Sequence, residues 1–348
     1  MLVSLYPMLL TPHRAWAHGA MSLTFFAVFA GCTPRSPRPP CAADTSAITL
    51  FVGARQFQPA IAHGRAIFST TTAVVAVPLA GGPAETLAEL RPTSAPVALD
   101  DVVYVQGVET VPGSDGGPPP SQTQFYSIPL AGGAPTSIAS LSAYIPLAAD
   151  STSLLLKGPG IAGLRWSPSS NEMTTISIGQ TLLLNGLAIQ DDYIYLAAQD
   201  RMTPGLSNGV IARIPSAGGA LERLATGLGH PRNIVADKAR IYWTEEPPAI
   251  GVPMGRVASY DLVSGQVGTV LPENAFSLAV GNNWLYLASG QDIAAVRPGG
   301  GEKRILLTNL ISPGLLAVGG DRLVWVDPAQ SPLSSTQPVE LRATCVQD

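Results

Sequence analysis

Asn233-Ile234-Val235-Ala236-Asp237-Lys238-Ala239-Arg240-Ile241-Tyr242-Trp243-Thr244-Glu245 sets two short apolar runs about the polar group 237–240, the spelling of a tight β-hairpin. The same spelling recurs six more times. It returns as 187–189 with 194–196, 278–280 with 285–287, and 316–318 with 323–325. Weaker copies are 97–99 with 103–105, 147–149 with 154–156, and 60–62 with 67–68.

Aligned on the bulky residue of the second strand, the copies place Phe68, Tyr104, Leu155, Tyr195, Tyr242, Tyr286 and Val324 in register, at intervals of 36 to 51 residues. A period near the low forties, with two short strands leading each unit, is the signature of a β-propeller in which each unit is one four-stranded blade. We name the leading strands a and b. A third strand, c, runs into Pro and then Gly-Gly: Val77-Pro78 before Gly81-Gly82, Ile128-Pro129 before Gly132-Gly133, and Ile214-Pro215 before Gly218-Gly219. Proline cannot donate to a ladder, and glycine accepts positive φ in the turn. Outer strands, d, follow, as at 220–224 and 304–307. The seventh unit ends after a third strand at about 339–344, and Ile48-Thr49-Leu50-Phe51-Val52 supplies its missing fourth. The expectation is an all-β, seven-bladed propeller closed by an N-terminal strand joining the last blade, with six blades as the alternative.

Of 348 residues, 46% are apolar and 13% charged, with 35 Gly and 32 Pro. Glycine and proline are spaced too closely for long helices, and the apolar residues do not follow a 3.6-residue period. The formal charge is -4. No basic run exists, which argues against a nucleic-acid partner. A monomer is expected.

Ile241-Tyr242-Trp243-Thr244-Glu245 resembles the Tyr-Trp-Thr-Asp repeat of YWTD propellers of lipoprotein-receptor type, and His230-Pro231 before Ile234-Val235-Ala236-Asp237 is similar to the NHL repeat. As a pattern the resemblance covers roughly residues 47–346; only the fifth unit matches closely, and both families usually have six blades. The resemblance implies a toroid that binds proteins or ligands, sometimes with a metal-dependent hydrolase or lyase site on one face.

Residues 20–31 form an apolar run suited to a secretion signal and too short to span a bilayer. Its end, Phe29-Ala30-Gly31-Cys32, resembles a bacterial lipobox, in which Cys32 is acylated after cleavage; an ordinary signal cleaved near Ala15-Trp16-Ala17 is the alternative, and Met21 is an alternative start. Thr33-Pro34-Arg35-Ser36-Pro37-Arg38-Pro39-Pro40 reads as a stiff extended tether. The organisation is therefore a signal at 1–31, a Pro-rich tether at 32–46 and a propeller at 47–348. A lipid anchor would hold it at a bacterial membrane surface and be its only contact with membrane; periplasmic or secreted is the alternative.

In a propeller the d–a and b–c connections share one face and the a–b and c–d turns the other. The b–c connections at 108–122, 200–208, 246–254 and 327–338 are long, and rigid scaffolds carry binding on such loops. Candidate contacts are Arg201, Met202, Glu245, Glu246 and Met254, facing an unknown protein or carbohydrate ligand; 113–120 reads as a solvated insertion.

Chemistry is harder to find. Gly205-Leu206-Ser207-Asn208-Gly209 fits the nucleophile-elbow string but leads into a strand rather than a helix, and Gly158-Pro159-Gly160-Ile161-Ala162-Gly163 fits a dinucleotide string with no helix to follow. His230, placed in a d–a loop, and His63, after an a-strand, fall at opposite ends of the disc and cannot act as a pair. Asp100, Asp150 and Asp237, at the ends of a-strands, suit turn capping better than calcium. No catalytic residue, metal or cofactor is assigned, and the reading is a non-enzymatic binding or assembly module. The alternative is a metal-dependent hydrolase or lyase at the axial tunnel mouth.

In an oxidising compartment Cys41 and Cys345, one at each end of the body, are expected to form a disulfide; two unpaired thiols are the alternative. The bridge would close a loop of 304 residues, for which chain entropy gives an upper bound of roughly 5 to 6 kcal/mol. Thiol titration of the denatured, unreduced secreted protein should find neither cysteine free; two free sulfhydryls at these positions would remove the bridge.

Overall fold

The computed structural model describes residues 47–54, 57–108, 123–158, 162–179, 181–203, 205, 207–246, 255–328 and 339–346. Seven antiparallel sheets follow one another along the chain. Blade 1 comprises a Ala60–Ala62, b Arg65–Ser69, c Ala73–Pro78 and d Glu85–Glu89. In blade 2, strand a is broken into Arg91–Pro92 and Val97–Leu99, followed by b Val102–Val108, c Thr123–Pro129 and d Thr136–Ser137. Blade 3 comprises a Ile145–Ala149, b Leu154–Lys157, c Ala162–Ser167 and d Glu172–Ser177. Blade 4 comprises a Leu182–Gln190, b Tyr193–Asp200, c Gly209–Pro215 and d Glu222–Leu228. Blade 5 comprises a His230–Ala236, b Arg240–Glu246, c Arg256–Asp261 and d Val267–Leu271. Blade 6 comprises a Ser277–Gly281, b Trp284–Ser289, c Asp292–Val296 and d Arg304–Leu307. Blade 7 takes a Gly314–Gly319, b Arg322–Pro328 and c Val339–Cys345 from the end of the chain and d Ile48–Ala54 from its beginning.

The sheet count settles seven blades against six. The closing strand is where the sequence places it: Ile48 lies opposite Ala343, Phe51 opposite Leu341 and Ala54 opposite Val339. Each a-strand contacts the a-strand of the next blade all the way round, so these strands line the axis.

The b-strands show how the ring is built. Successive side chains of a strand face opposite ways, so each b-strand feeds two cores. Tyr242 packs with blade 6 residues, among them Leu278 and Leu285, whereas Ile241 and Trp243 pack with Tyr195 and Ile211 of blade 4. Seven such clusters fill the seven gaps between blades. The gap between blades 2 and 3 is an aromatic knot in which Tyr104 meets Trp166 edge-on at 5.7 Å, with Phe125 beside both.

Blade 1 corrects the alignment by one residue. The b-strand position opposite Val235 is Tyr242, and opposite Ala188 it is Tyr195; in blade 1 the residue opposite Ala60 is Ile67, not Phe68. Ile67 faces blade 2, as its register demands, and Phe68 faces back to blade 7, 4.8 Å from the Phe51 ring. A slip of one residue turns every side chain to the other face.

Every residue of Tyr242-Trp243-Thr244-Glu245 has an internal partner or a core position. The Tyr242 hydroxyl donates to Asp237 Oδ2 at 2.9 Å, while Asp237 Oδ1 accepts the Ala239 and Arg240 amides at 2.8 and 2.7 Å, so one carboxylate both shapes the a–b turn and ties it to the next strand. Burial, and then this hydrogen bond, push the Tyr242 phenol well above its ordinary pKa. Asp150 builds the same turn in blade 3 through the Thr152 and Ser153 amides and pairs with Arg165 at 3.0 Å. Asp100 instead turns the chain through positive φ.

Strands c end as read: Pro78, Pro129 and Pro215 accept 2.9 to 3.0 Å bonds from Gly81, Gly132 and Gly218, and each Gly-Gly pair has positive φ. In blade 4 strand d begins at Glu222 rather than 220. His230 opens strand a of blade 5, opposite Glu246, instead of lying in the loop before it.

The a-strands carry bulges at similar depths, at 146–148, 184–186, 232–235 and 314–317, and in blade 2 the strand breaks outright between Pro92 and Val97. Polar groups at or beside these irregularities reach a neighbouring blade. Asn185 Nδ2 donates to Pro231 O at 3.2 Å, Asn233 Nδ2 to Phe276 O at 2.8 Å, the Leu316 amide to Ser277 Oγ at 3.0 Å, and Gln58 Nε2 to Leu316 O at 3.4 Å. The Leu316 amide and carbonyl, which lie within the 314–317 bulge, thereby gain partners across the blade gaps.

Candidate functional site

The two faces differ in construction. On the a–b/c–d face the turns are tight, several with paired positive φ such as His63-Gly64 and Asn282-Asn283. On the other face lie the d–a connections and the long b–c connections, of which 109–122, 247–254 and 329–338 fall outside the described residues.

Three of the four long loops spring from a carboxylate paired with arginine. Asp200 accepts Arg223 Nη2 at 2.6 Å and the Met202 amide at 3.0 Å. Glu245 Oε2 accepts Arg256 Nε and Nη2 at 3.1 and 3.0 Å, and its Oε1 accepts the Gly229 amide of the incoming d–a connection at 2.8 Å. Asp327 pairs with Arg342 at 3.2 Å and accepts the Ser312 amide at 3.1 Å, again from the incoming connection. Asp200 and Asp327 are buried. Losing one member of such a pair strands the other's charge, so these are rigid roots for the loops they begin.

Of the residues named from sequence, Arg201 and Met202 stand on this face, and Met202 is 75% exposed. Arg201 is held by its amide to Thr181 O at 2.8 Å. Glu246 is half-exposed beside Arg232 at 3.2 Å. Glu245 sits beside them, but both its oxygens are engaged by the loop root. Met254, Cys32 and Cys41 lie outside the described residues, and Cys345 ends the strand that pairs with the closing strand.

Blades 3 and 4 part on this face to leave a cavity of about 160 Å³. Its walls are aliphatic: Leu147, Leu155, Ile178, Leu182, Leu183 and Leu187. Gly163 also lines it, with Lys157 and Arg201 contributing the charge. Leu147 and Leu183 are exposed. Sequence reasoning missed all of these except Arg201. The one available signal is Leu182-Leu183-Leu184: strict alternation buries at most every second residue, and the run continues through a bulge that turns the strand.

The strings resembling catalytic motifs resolve as connections. Gly209 begins strand c of blade 4, where Asn208 O accepts the Asp200 amide at 2.8 Å, and Ala162 and Gly163 begin strand c of blade 3, while 159–161 and 206 lie outside the described residues. His63 Nε2 lies 3.2 Å from Asp100 O, in the a–b turn of blade 1, whereas His230 opens strand a of blade 5 on the opposite face.

No family model and no curated protein matches the sequence. Solved structures do. The β-propeller domain of the Trilobed protease from Pyrococcus furiosus, described as having an open velcro topology, matches with TM-score 0.62 and 12% identity over 84% of this chain and 95% of that one. YCF48 bound to D1 peptide matches with TM-score 0.58 and 13% identity over 87% and 97%. PorZ of Porphyromonas gingivalis, a bacterial surface component of the type-IX secretion system, matches with TM-score 0.55 and 11% identity over 87% of this chain and 39% of that one. These likenesses show the fold.

The Met202 amide, followed by Arg223, holds the Asp200 carboxyl below its ordinary pKa. A depressed carboxyl stabilises the fold above its unfolded value of about 3.9 and loses that contribution as pH falls through the folded value. Asp200→Asn should therefore lower the urea midpoint at pH 7 and flatten its fall between about pH 5 and pH 2; an unchanged acid limb would mean that Asp200 does not root the loop.

Proposed function

We propose that this chain is a non-enzymatic binding or assembly module that works through the face bearing its b–c and d–a connections. The distribution of exposed apolar side chains carries the reading. Among the described residues ten large apolar side chains are exposed, and Leu147, Leu183, Met202, Phe276 and Ile311 lie on or beside this face. Val52, Met173, Val267 and Ile305 belong to outer strands, and Val263 to a c–d turn. Apolar surface gathered on one face is the usual mark of a contact surface. Rooted loops add preorganisation, which lowers the entropic cost of association.

A protein partner suits the face better than a sugar, because the cavity offers aliphatic walls and no aromatic platform. Of the carboxylates that a tunnel-mouth metal site would draw on, Asp150 and Asp237 already serve turns, Arg165 and Tyr242. A calcium-dependent rise in melting temperature would nevertheless favour the hydrolase or lyase reading.

The same proposal takes 1–31 as a signal, Cys32 as an acylated anchor, 32–46 as a tether and 47–348 as the body, with Cys41 bridged to Cys345. The propeller would then be displayed at a bacterial envelope surface. The lipobox-like end of the apolar run and the prolines after it support this reading.

Hydrogen exchange on a complex captured from the native host tests it. Binding should protect residues 200–208 and 274–277, and Cys32→Ser should release the protein from the membrane fraction. Protection confined to the Gly-Gly turns, or membrane retention of the Cys32 variant, would contradict the corresponding half of the proposal.

A further inference from the structure

We infer that the cavity between blades 3 and 4 seats one aliphatic side chain of a partner polypeptide, with a neighbouring carboxylate of that partner held by Lys157 and Arg201. This rests on the reading that the face binds protein, and it names the chemistry recognised.

Volume decides the size of the occupant. Small-molecule and cofactor sites run from roughly 300 to 1,000 Å³, and an apolar cavity of roughly 150 Å³ takes a molecule the size of benzene. The cavity here, at about 160 Å³, matches a single Leu or Ile side chain. That is the dimension of an anchor residue at a protein interface.

Charge decides what sits beside the anchor. The protein carries a net negative charge, and among the described residues nine of sixteen cations already face a carboxylate. Arg165, Arg213, Arg223, Arg240, Arg256 and Arg342 are among those facing a carboxylate within 4 Å. Lys157 and Arg201 are exposed, and among the described residues neither has an ion-pair partner, although both line one apolar cavity. The nearest acid along the chain, Asp200, is committed to Arg223 and the Met202 amide. Two uncompensated cations at an apolar mouth attract an anion and repel a basic segment. The complementary ligand is an acidic segment with an aliphatic residue next to Asp or Glu.

Gly163 allows a test that leaves the fold intact. A Cβ at this position would lie 3.5 to 3.6 Å from Ile178, Ile176 and Leu155, in ordinary contact. Gly163→Ala therefore shrinks the cavity from its wall without forcing the strand apart.

The experiment is fluorescence anisotropy with the folded protein and a fluorescein-labelled peptide, Gly-Ser-Glu-Leu-Glu-Leu-Ser-Gly. Comparators replace both Glu by Lys, or both Leu by Ser, and dodecanoate is the competitor that represents a lipid chain. The parent peptide should bind, and both comparators should bind at least roughly tenfold more weakly. The double variant Lys157→Glu with Arg201→Glu should weaken the parent roughly tenfold or more, and Gly163→Ala should do so on the order of fivefold at unchanged melting temperature. Equal binding of the Lys peptide, no effect of these variants, or tight displacement by dodecanoate would overturn the inference. If the parent peptide fails while exchange in the captured complex still protects 200–208, the inference falls and the proposed function stands; protection confined to the Gly-Gly turns would remove both.

Discussion

The pairing of Ile48–Ala54 with Val339–Cys345 is the constraint on which the ring depends. Blades 1 to 6 are each built from one continuous piece of chain, whereas blade 7 is complete only when the beginning of the body returns to its end. The bond is also hydrophobic. Leu50, Val324, Val326, Leu341 and Ala343 of blade 7 share a core with Phe68, Val75 and Val77 of blade 1, and the Phe51 ring packs tilted against Phe68. Without the closing strand, the strand ending in Cys345 would become an exposed edge with unpaired backbone groups, and the seventh of seven similar cores would lose one wall.

The bulges of the inner strands supply a second, polar connection. Asn185, Asn233 and Ser277 bond to backbone of the following blade and Gln58 to backbone of blade 7, so the packing around the axis is directional as well as apolar. On the outer part of the same face the carboxylate–arginine roots at Asp200, Glu245 and Asp327 fix where the long loops begin. In the proposed function, a ring that roots its long loops and holds a preformed cavity on one side serves as a platform for binding.

The architecture was legible because it is local. Each hairpin is written within about fifteen residues, and the closing strand follows from counting strands in the last unit. The one-residue slip in blade 1 arose where the sequence offers two adjacent bulky residues, Ile67 and Phe68, and only the pairing with Ala60 chooses between them. The site was much less legible because it is made between units. Leu147 and Lys157 come from strands a and b of blade 3, and Leu183 and Arg201 from strand a of blade 4 and the residue after its strand b, and nothing in their local sequence says that they meet. Glu245 shows the opposite error: a charged residue at the mouth of a long loop reads as a free contact, and only the position of Arg256 and the Gly229 amide shows that it is engaged.

Native-state hydrogen exchange on a variant lacking residues 47–54 measures the central claim most directly. The account predicts that amides of Val339–Cys345 lose their slow exchange, and that the whole ring unfolds at a lower urea concentration, by about 3 kcal/mol or more given the large apolar side chains removed. Unchanged protection in that strand, with an unchanged midpoint, would show that the ring does not depend on its seam.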